Sequence, residues 1–222
     1  KKPIPVVGNG PVYPKTKISI TTQVSGKIIK MHESMVTGGV FAKGSVLITI
    51  DPRPYEAALN QALSQESALN AELKFVEKQL VRDNKLSKSG TASEMKRQET
   101  ESRRDKLKAQ IESAKALSAS RKLDLEYTEI IAPFNGVIGY TGLTEDIFIS
   151  DNIFIITLDD NSTIYSDIKI PESYAPFIKK GLTVEAKVSS YGDKVFKGKI
   201  DFISSRINAD TRSLLSRISI KN

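Results

Sequence analysis

Residues 55–83 read YEAALNQALSQESALNAELKFVEKQLVRD, and their spacing sets the architecture. Alternating steps of four and three from Tyr55 give Tyr55, Leu59, Ala62, Glu66, Leu69, Leu73, Val76, Leu80 and Asp83. Seven of these nine can pack, so the stretch reads as a coiled-coil seam rather than a broad globular face. Pro52 and Pro54 bracket its start, where first-turn amides need no partner. The pattern stops near Ser87-Lys88-Ser89-Gly90-Thr91, and Gly90 suits the left-handed conformation that ends a helix. Ser93 or Thr91 then caps a second helix, with Glu94 in its first turn. That helix is expected to run to about Leu125, with Leu107, Ile111, Ala114 and Leu117 on one side. Two helices joined by so short a turn are antiparallel. At about 1.5 Å per residue, roughly 33 residues each make a hairpin about 50 Å long.

The start of the second helix is unusual. From Glu94 to Lys108 ten of fifteen residues are charged, and a helix polar all round cannot be held by its own apolar face. It reads either as a solvated hairpin end laced with ion pairs or as an end that meets another protein through polar contacts.

Outward from the helices the texture is β. Lys17-Ile18-Ser19-Ile20-Thr21 and Ser45-Val46-Leu47-Ile48-Thr49-Ile50 read as strands, punctuated by glycines at 26, 38, 39 and 44. Between residues 55 and 122 the one glycine is Gly90 and there is no proline; beyond Tyr127 strand texture returns, with Pro133, Gly136, Gly139 and Gly142 close together. This pattern means a helical insert inside a β domain, or two β domains joined by a helical linker.

A repeat bears on that choice. Gly38, Phe41, Gly44 and Leu47 stand three apart, as do Asp146, Ile149, Asn152 and Ile155 beyond the hairpin. A turn and strand precede each set: Ser25-Gly26-Lys27-Ile28-Ile29 and Asn135-Gly136-Val137-Ile138. Asp and Asn are the residues that best tolerate positive φ after glycine, so both copies can make the same turns. Two such halves can close into one small β-sandwich. Gly136 is expected to supply a conformation that other residues resist.

Composition narrows the function. The chain has 222 residues, no cysteine and one histidine, His32. Disulfides, thiolate metal sites and a Cys nucleophile are excluded, and a His-based metal site or Ser-His-Asp triad is disfavoured. No apolar run approaches the roughly 20 residues of a membrane helix. The charge is uneven: +6 over residues 1–53, +2 over 54–127 and −1 over 128–222. With no groove-reading motif beside it, that excess does not point to nucleic acid. Asp159-Asp160-Asn161-Ser162 and Glu145-Asp146 read as turns rather than acid/base pairs, and no phosphate loop or nucleophile elbow appears, so the chain is not expected to be an enzyme.

Several stretches together resemble a family. Tyr127-Thr128-Glu129-Ile130-Ile131-Ala132-Pro133-Phe134-Asn135-Gly136-Val137 resembles the y-t-x-I-x-A-P-F-D-G-x-V signature of membrane fusion proteins, the HlyD-like periplasmic adaptors of tripartite efflux pumps. Ser25-Gly26-Lys27-Ile28 resembles the family's v-S-G-x-V start, and Leu47 to Tyr55 its L-x-x-l-D-x-x-x-Y exit into the hairpin. Ile170-Pro171-Glu172, Lys180-Gly181, Phe196-Lys197-Gly198 and Asp210-Thr211-Arg212-Ser213 resemble its β-barrel landmarks, in order. Arg82, Leu86 and Ser93 have the spacing of the Arg, Leu and Ser at the tip of adaptors that serve resistance-nodulation-division (RND) transporters. The departures are Asn135 for the signature's Asp, and Asp146 and Asn152 for turn glycines.

The resemblance implies an elongated α+β protein. An antiparallel coiled-coil hairpin (54–126) is inserted into a split lipoyl/biotinyl-like β-sandwich (16–53 plus 127–159), and a β-barrel domain (1–15 plus 160–222) completes it. A membrane-proximal domain is expected to be absent or truncated after residue 222. The implied role is an adaptor between an inner-membrane RND transporter and a TolC-like outer-membrane channel, self-associated as a trimer or hexamer. Its implied location is the periplasm, anchored to the inner membrane through a removed N-terminal lipid or transmembrane segment. Arg82, Leu86 and Ser93 are the implied channel contacts, and Gly26, Gly38, Gly44, Gly136 and Pro133 the structural turn positions. No cofactor or metal is implied. The alternatives are an adaptor of an ABC-type export system, or a biotinyl/lipoyl carrier subunit. Carriers modify a lysine at a tight turn between the halves, and here that turn is replaced by about 70 residues of helix.

Overall fold

The computed structural model describes residues 6–86, 91–188 and 191–222; the side chains at 91–93 and 140 also lie outside the described set. The hairpin turn at Ser87–Gly90, with its expected glycine cap, therefore falls outside the described residues.

In chain order the elements are β1 (Val12–Thr21), β2 (Gly26–Met31), β3 (Val40–Phe41), β4 (Val46–Ile50), helices α1 (Arg53–Leu86) and α2 (Thr91–Glu126), then β5 (Glu129–Ile131), β6 (Gly136–Thr141), β7 (Phe148–Ile149), β8 (Phe154–Pro171), β9 (Thr183–Lys187), β10 (Val195–Asn208) and β11 (Ser213–Lys221). They form a sheet ordered β3-β6-β8-β11-β10-β9, with β1 also on β8, and a second sheet ordered β5-β4-β2-β7. The hairpin is thus inserted into a split β-sandwich, with a β-barrel-like sheet beyond.

Strands from before and after the helices pair with each other. Val46 pairs with Ile131, Gly26 with Ile149 and Phe41 with Gly136. One core unites them: Ile28, Phe41, Leu47, Ile48 and Ile50 from the first half, and Ile130, Ile138, Ile149, Ile155, Ile156 and Leu158 from the second. Each such side chain contributes about 1.5–3 kcal/mol by leaving water, enough to hold two stretches more than 70 residues apart in sequence.

The two halves are related as the repeat suggests. Gly38, Gly44, Asp146 and Asn152 all have positive φ, at 86°, 86°, 69° and 57°. Their amides make matching bonds into the opposite half. Gly38 N–H donates to Ile138 O (2.7 Å) and Asp146 N–H to Ile28 O (3.0 Å); Gly44 N–H donates to Ala132 O (2.8 Å) and Asn152 N–H to Thr22 O (2.9 Å). The intervening Phe41, Leu47, Ile149 and Ile155 are all buried. Asn135 keeps the acceptor an Asp would offer, since its Oδ1 takes the Lys43 N–H at 2.7 Å.

Two expectations need correction. Gly136 does not have positive φ; it opens β6, and its constraint is space. A Cβ there would lie 2.9 Å from Asp159 O and 3.2 Å from both Leu158 Cγ and Phe134 Cε2. Its counterpart Gly26 would place a Cβ 2.5 Å from Ile50 Cγ2. Asp159-Asp160-Asn161-Ser162 is not a hairpin turn either. Strand β8 runs through it, and the register against β1 slips there, Pro14 pairing with Ile164 and Thr16 with Asp160. The turn-forming side chains build a bulge instead: Asp160 Oδ1 accepts the Ser162 N–H at 2.9 Å, and Lys15 lies 3.5 Å from its other oxygen.

Past the bulge, β8 enters a second core of Ile168, Ile170, Ile178, Ile200, Leu214, Ile218 and Ile220. On the opposite face Arg217 grips Asp167 through two bonds (2.8 and 2.9 Å), with its guanidinium 5.5 Å from the Tyr13 ring centroid and 5.6 Å from that of Tyr165. Arg217 holds the Asp167 carboxyl below its usual range, and Arg53 holds Asp51 down to about 2. Both pKa values are depressed in the fold. The stability they bring is complete above the unfolded carboxylate value of about 4 and is lost as pH falls through the folded values, for Asp51 between about 4 and about 2. Urea midpoints measured across that range should fall with pH, and less steeply in Asp167→Asn; an identical slope in that variant would remove the Arg217–Asp167 pair from the account.

Candidate functional site at the hairpin end

The root of the hairpin is fixed to the sandwich. Tyr55 packs on the first core and its hydroxyl donates to Ser25 O at 2.5 Å. Asp51 accepts the Arg53 N–H at 3.1 Å, and Asp51 N–H donates to Lys27 O at 2.8 Å. On the returning chain, Ile50 N–H donates to Thr128 O at 2.8 Å. Over 34 residues α1 then carries Leu86 to a point about 50 Å from this root.

All nine seam positions of α1 are buried or half-buried, as the spacing requires. The two acids among them are satisfied across the seam. Ser118 Oγ donates to Glu66 Oε2 at 3.1 Å and Thr100 Oγ1 to Asp83 Oδ2 at 2.7 Å. Both hydroxyl residues are buried. A polar pair within an apolar seam favours one register, because sliding by one turn takes these donors from Glu66 and Asp83, while the hydroxyls fall back on Lys115 O and Lys96 O of their own helix, each 3.0 Å away. Thr100→Val should therefore cost about 1 kcal/mol, and adding Asp83→Ala should recover part of it. Denaturant melts of the two single variants and the double test this, and strictly additive costs would contradict the pairing.

Ser118 also corrects the second helix. Its seam is Leu107, Ile111, Ala114 and Ser118, whereas Leu117 is 46% exposed. Toward the tip the seam continues through Thr100, flanked by half-buried Arg104 and Arg97. Arg97 bonds to Glu94 (2.7 Å) and Glu101 (2.9 Å); Arg104 bonds to Asp105 (2.7 Å) and reaches Glu101 at 3.4 Å. The Arg97 guanidinium holds Glu94 below its usual pKa. Arginine stems thus cover the groove where α2 lacks apolar side chains. Arg103 and Glu72 close the pair across the helices at 2.6 Å.

At the end of α1, Arg82 is exposed and makes no ion pair among the described residues, and Leu86 is 60% exposed. They are one helical turn apart and share a side of the helix. The backbone of Ser93 lies in the first turn of α2; its side chain lies outside the described residues. Phe75, 56% exposed and one heptad before Arg82, lies on the same stripe and was not singled out by the sequence reading. Its signal was present: a large aromatic at a non-seam heptad position. His32, just past β2, is exposed and sets its ring edge-on to Phe41, 4.9 Å between centroids. Among the described residues no cluster of His, Cys, Asp and Glu suits a metal ion, and no helix is long and apolar enough to cross a membrane.

A family model described as the RND MFP barrel-sandwich hybrid domain matches residues 16–153, and one described as the CusB-like beta-barrel domain matches 163–222. The nodulation protein NolF of Rhizobium meliloti is 26% identical over 213 residues, 96% of this chain and 58% of NolF. The multidrug resistance protein MdtA of Yersinia enterocolitica is 27% identical over 184 residues, 82% of this chain and 41% of MdtA. The chain therefore spans about half the length of these curated relatives. Among solved structures, a MacA-MexA chimera containing the Pseudomonas aeruginosa MexA α-hairpin domain shares the fold, with a TM-score of 0.69 at 22% identity, covering 96% of this chain and 73% of that one.

Proposed function

The chain belongs to the RND membrane fusion protein family, and on that premise we propose that it is a periplasmic adaptor subunit of an efflux pump. It bridges an inner-membrane RND transporter to a TolC-like outer-membrane channel. The names of its relatives, among them a multidrug resistance protein, support this reading. Three parts divide the work: residues 54–126 are the stalk, residues 16–53 with 127–159 form the body that carries it, and residues 1–15 with 160–222 face the transporter. The role is mechanical and connective, and the transporter supplies the energy.

One observation carries the assignment: a two-helix rod, rooted in the sandwich through Tyr55, presents exposed Arg82 and Leu86 about 50 Å away. Arg82 offers a planar set of donors to carbonyls or carboxylates, Leu86 an apolar anchor, and Ser93 a hydroxyl at the start of the returning helix. The test is a photocrosslinker at position 86 in intact cells, with the captured protein identified by mass spectrometry. Capture of an outer-membrane channel protein is expected. Capture confined to inner-membrane or soluble proteins overturns the assignment.

A further inference from the structure

The two helices of the hairpin handle their charges differently. All seven acids of α2, from Glu94 to Glu126, lie within 4.0 Å of a cation on the same helix. The outer part of α1 does the opposite. Lys74, Lys78, Arg82 and Lys85 are exposed, and among the described residues none of them is in an ion pair. Steps of four, four and three put them on one face of the helix. Phe75, Val81 and Leu86 share that face and are 56%, 57% and 60% exposed.

At 3.6 residues per turn these side chains fall within an arc of about 140°. No acid lies inside it. Glu77 stands on the flank, and Glu72 and Asp83 are taken across the seam by Arg103 and Thr100. The face runs about 18 Å along the rod and begins about 28 Å out from Tyr55.

This composition selects an occupant. Cations without a carboxylate among them call for an acidic surface. A second copy of this chain offers its α2 acids only by giving up their own ion pairs. A lipid surface suits a helix whose apolar and basic residues lie on opposite faces, whereas here both are interleaved in one arc. A protein helix with carboxylates three and four residues apart, and apolar hollows between them, matches both.

We propose that this face of α1 docks lengthwise on an acidic helical surface of the same protein that the hairpin end engages. Contact then runs from Leu86 back to Lys74, and opposite charge sets its register. On the adaptor reading above, on which this rests, that protein is the outer-membrane channel.

The test places a photocrosslinker at position 75, at position 86, or at position 102 on the side of α2 away from the seam, in the full chain in intact cells. Positions 75 and 86 should capture the same channel protein, and position 102 should not. Lys74→Glu with Lys78→Glu and Lys85→Glu should lower capture from position 75 roughly tenfold or more, and the corresponding Gln variants should lower it less. The melting temperature should hardly move, since all three side chains are exposed. Flotation with phosphatidylglycerol vesicles should show no lysine-dependent binding. Channel capture from position 86, with nothing or a second copy captured from position 75, would overturn the lengthwise docking and leave the adaptor assignment standing. Failure to capture the channel from position 86 would remove the assignment and this partner with it. Equal capture from position 102, undiminished capture in the Glu variant, or lysine-dependent flotation would also overturn the proposal.

Discussion

Arg82→Asp is expected to reduce crosslinking from position 86 to background and to abolish efflux, while the melting temperature moves by no more than about 1–2 °C. The reasoning rests on what Arg82 touches within its own chain. It is exposed and makes no ion pair among the described residues, so its removal takes little from folding. Asp83 beside it is already bonded to Thr100, so the pair that favours this helix register is left in place. A carboxylate at position 82 would meet any carbonyl or carboxylate that the guanidinium is proposed to reach, and repel it. Arg82→Gln separates charge from shape and should give an intermediate loss. Full efflux in Arg82→Asp, with the fold intact, would remove the tip from the mechanism.

Gly136→Val is expected to destabilise the sandwich by about 3 kcal/mol, at the upper end of overpacking costs. The first side-chain atom alone would come 2.9 Å from a backbone carbonyl of the central strand β8, which cannot withdraw without disturbing its ladder to β6 and β1. Val adds two methyls toward Leu158 and Phe134. Its counterpart Gly26→Val should behave alike, since the Cβ there meets Ile50. Gly38→Ala offers a contrast: a Cβ meets nothing within 4 Å, and the cost comes from φ alone, about 1 kcal/mol. Melting curves of the three variants check the ranking; a Gly136→Val protein that melts like the parent would mean the contact is not made in solution.

Much of the fold was legible because its signals are periodic. The alternating four-three spacing needs no tertiary information, and Asp146 and Asn152 carry the same conformational meaning as Gly38 and Gly44. Polar residues doing apolar jobs were harder to read. Ser118 holds a seam position because its hydroxyl finds Glu66, and hydrophobicity alone prefers Leu117. Asp160 and Ser162 mark a bulge with the same side-chain bond that marks a turn, so composition cannot tell the strand that continues from the strand that ends. Gly136 looked like a conformational requirement because glycine signals both freedom and smallness, and only the position of β8 decides between them. At the hairpin end, exposure of Arg82 and Leu86 follows from heptad position. That Arg82 makes no ion pair among the described residues depends on where the neighbouring carboxylates have already gone.

Strand β8 contributes Ile155, Ile156 and Leu158 to one core and Ile168 and Ile170 to the other, with β1 beside it from Thr21 to Val12. Antiparallel hydrogen bonds lie across the strand direction, so a pull between barrel and sandwich along these strands loads the rungs together, in shear, rather than peeling them singly. The ladder slips twice, between Pro14 and Thr16 and between Ile20 and Thr21; the first, opposite Asn161–Thr163, lies between the two cores and is where such a coupling would give first. Tension entering at the barrel would otherwise pass undiminished to the body that carries the stalk.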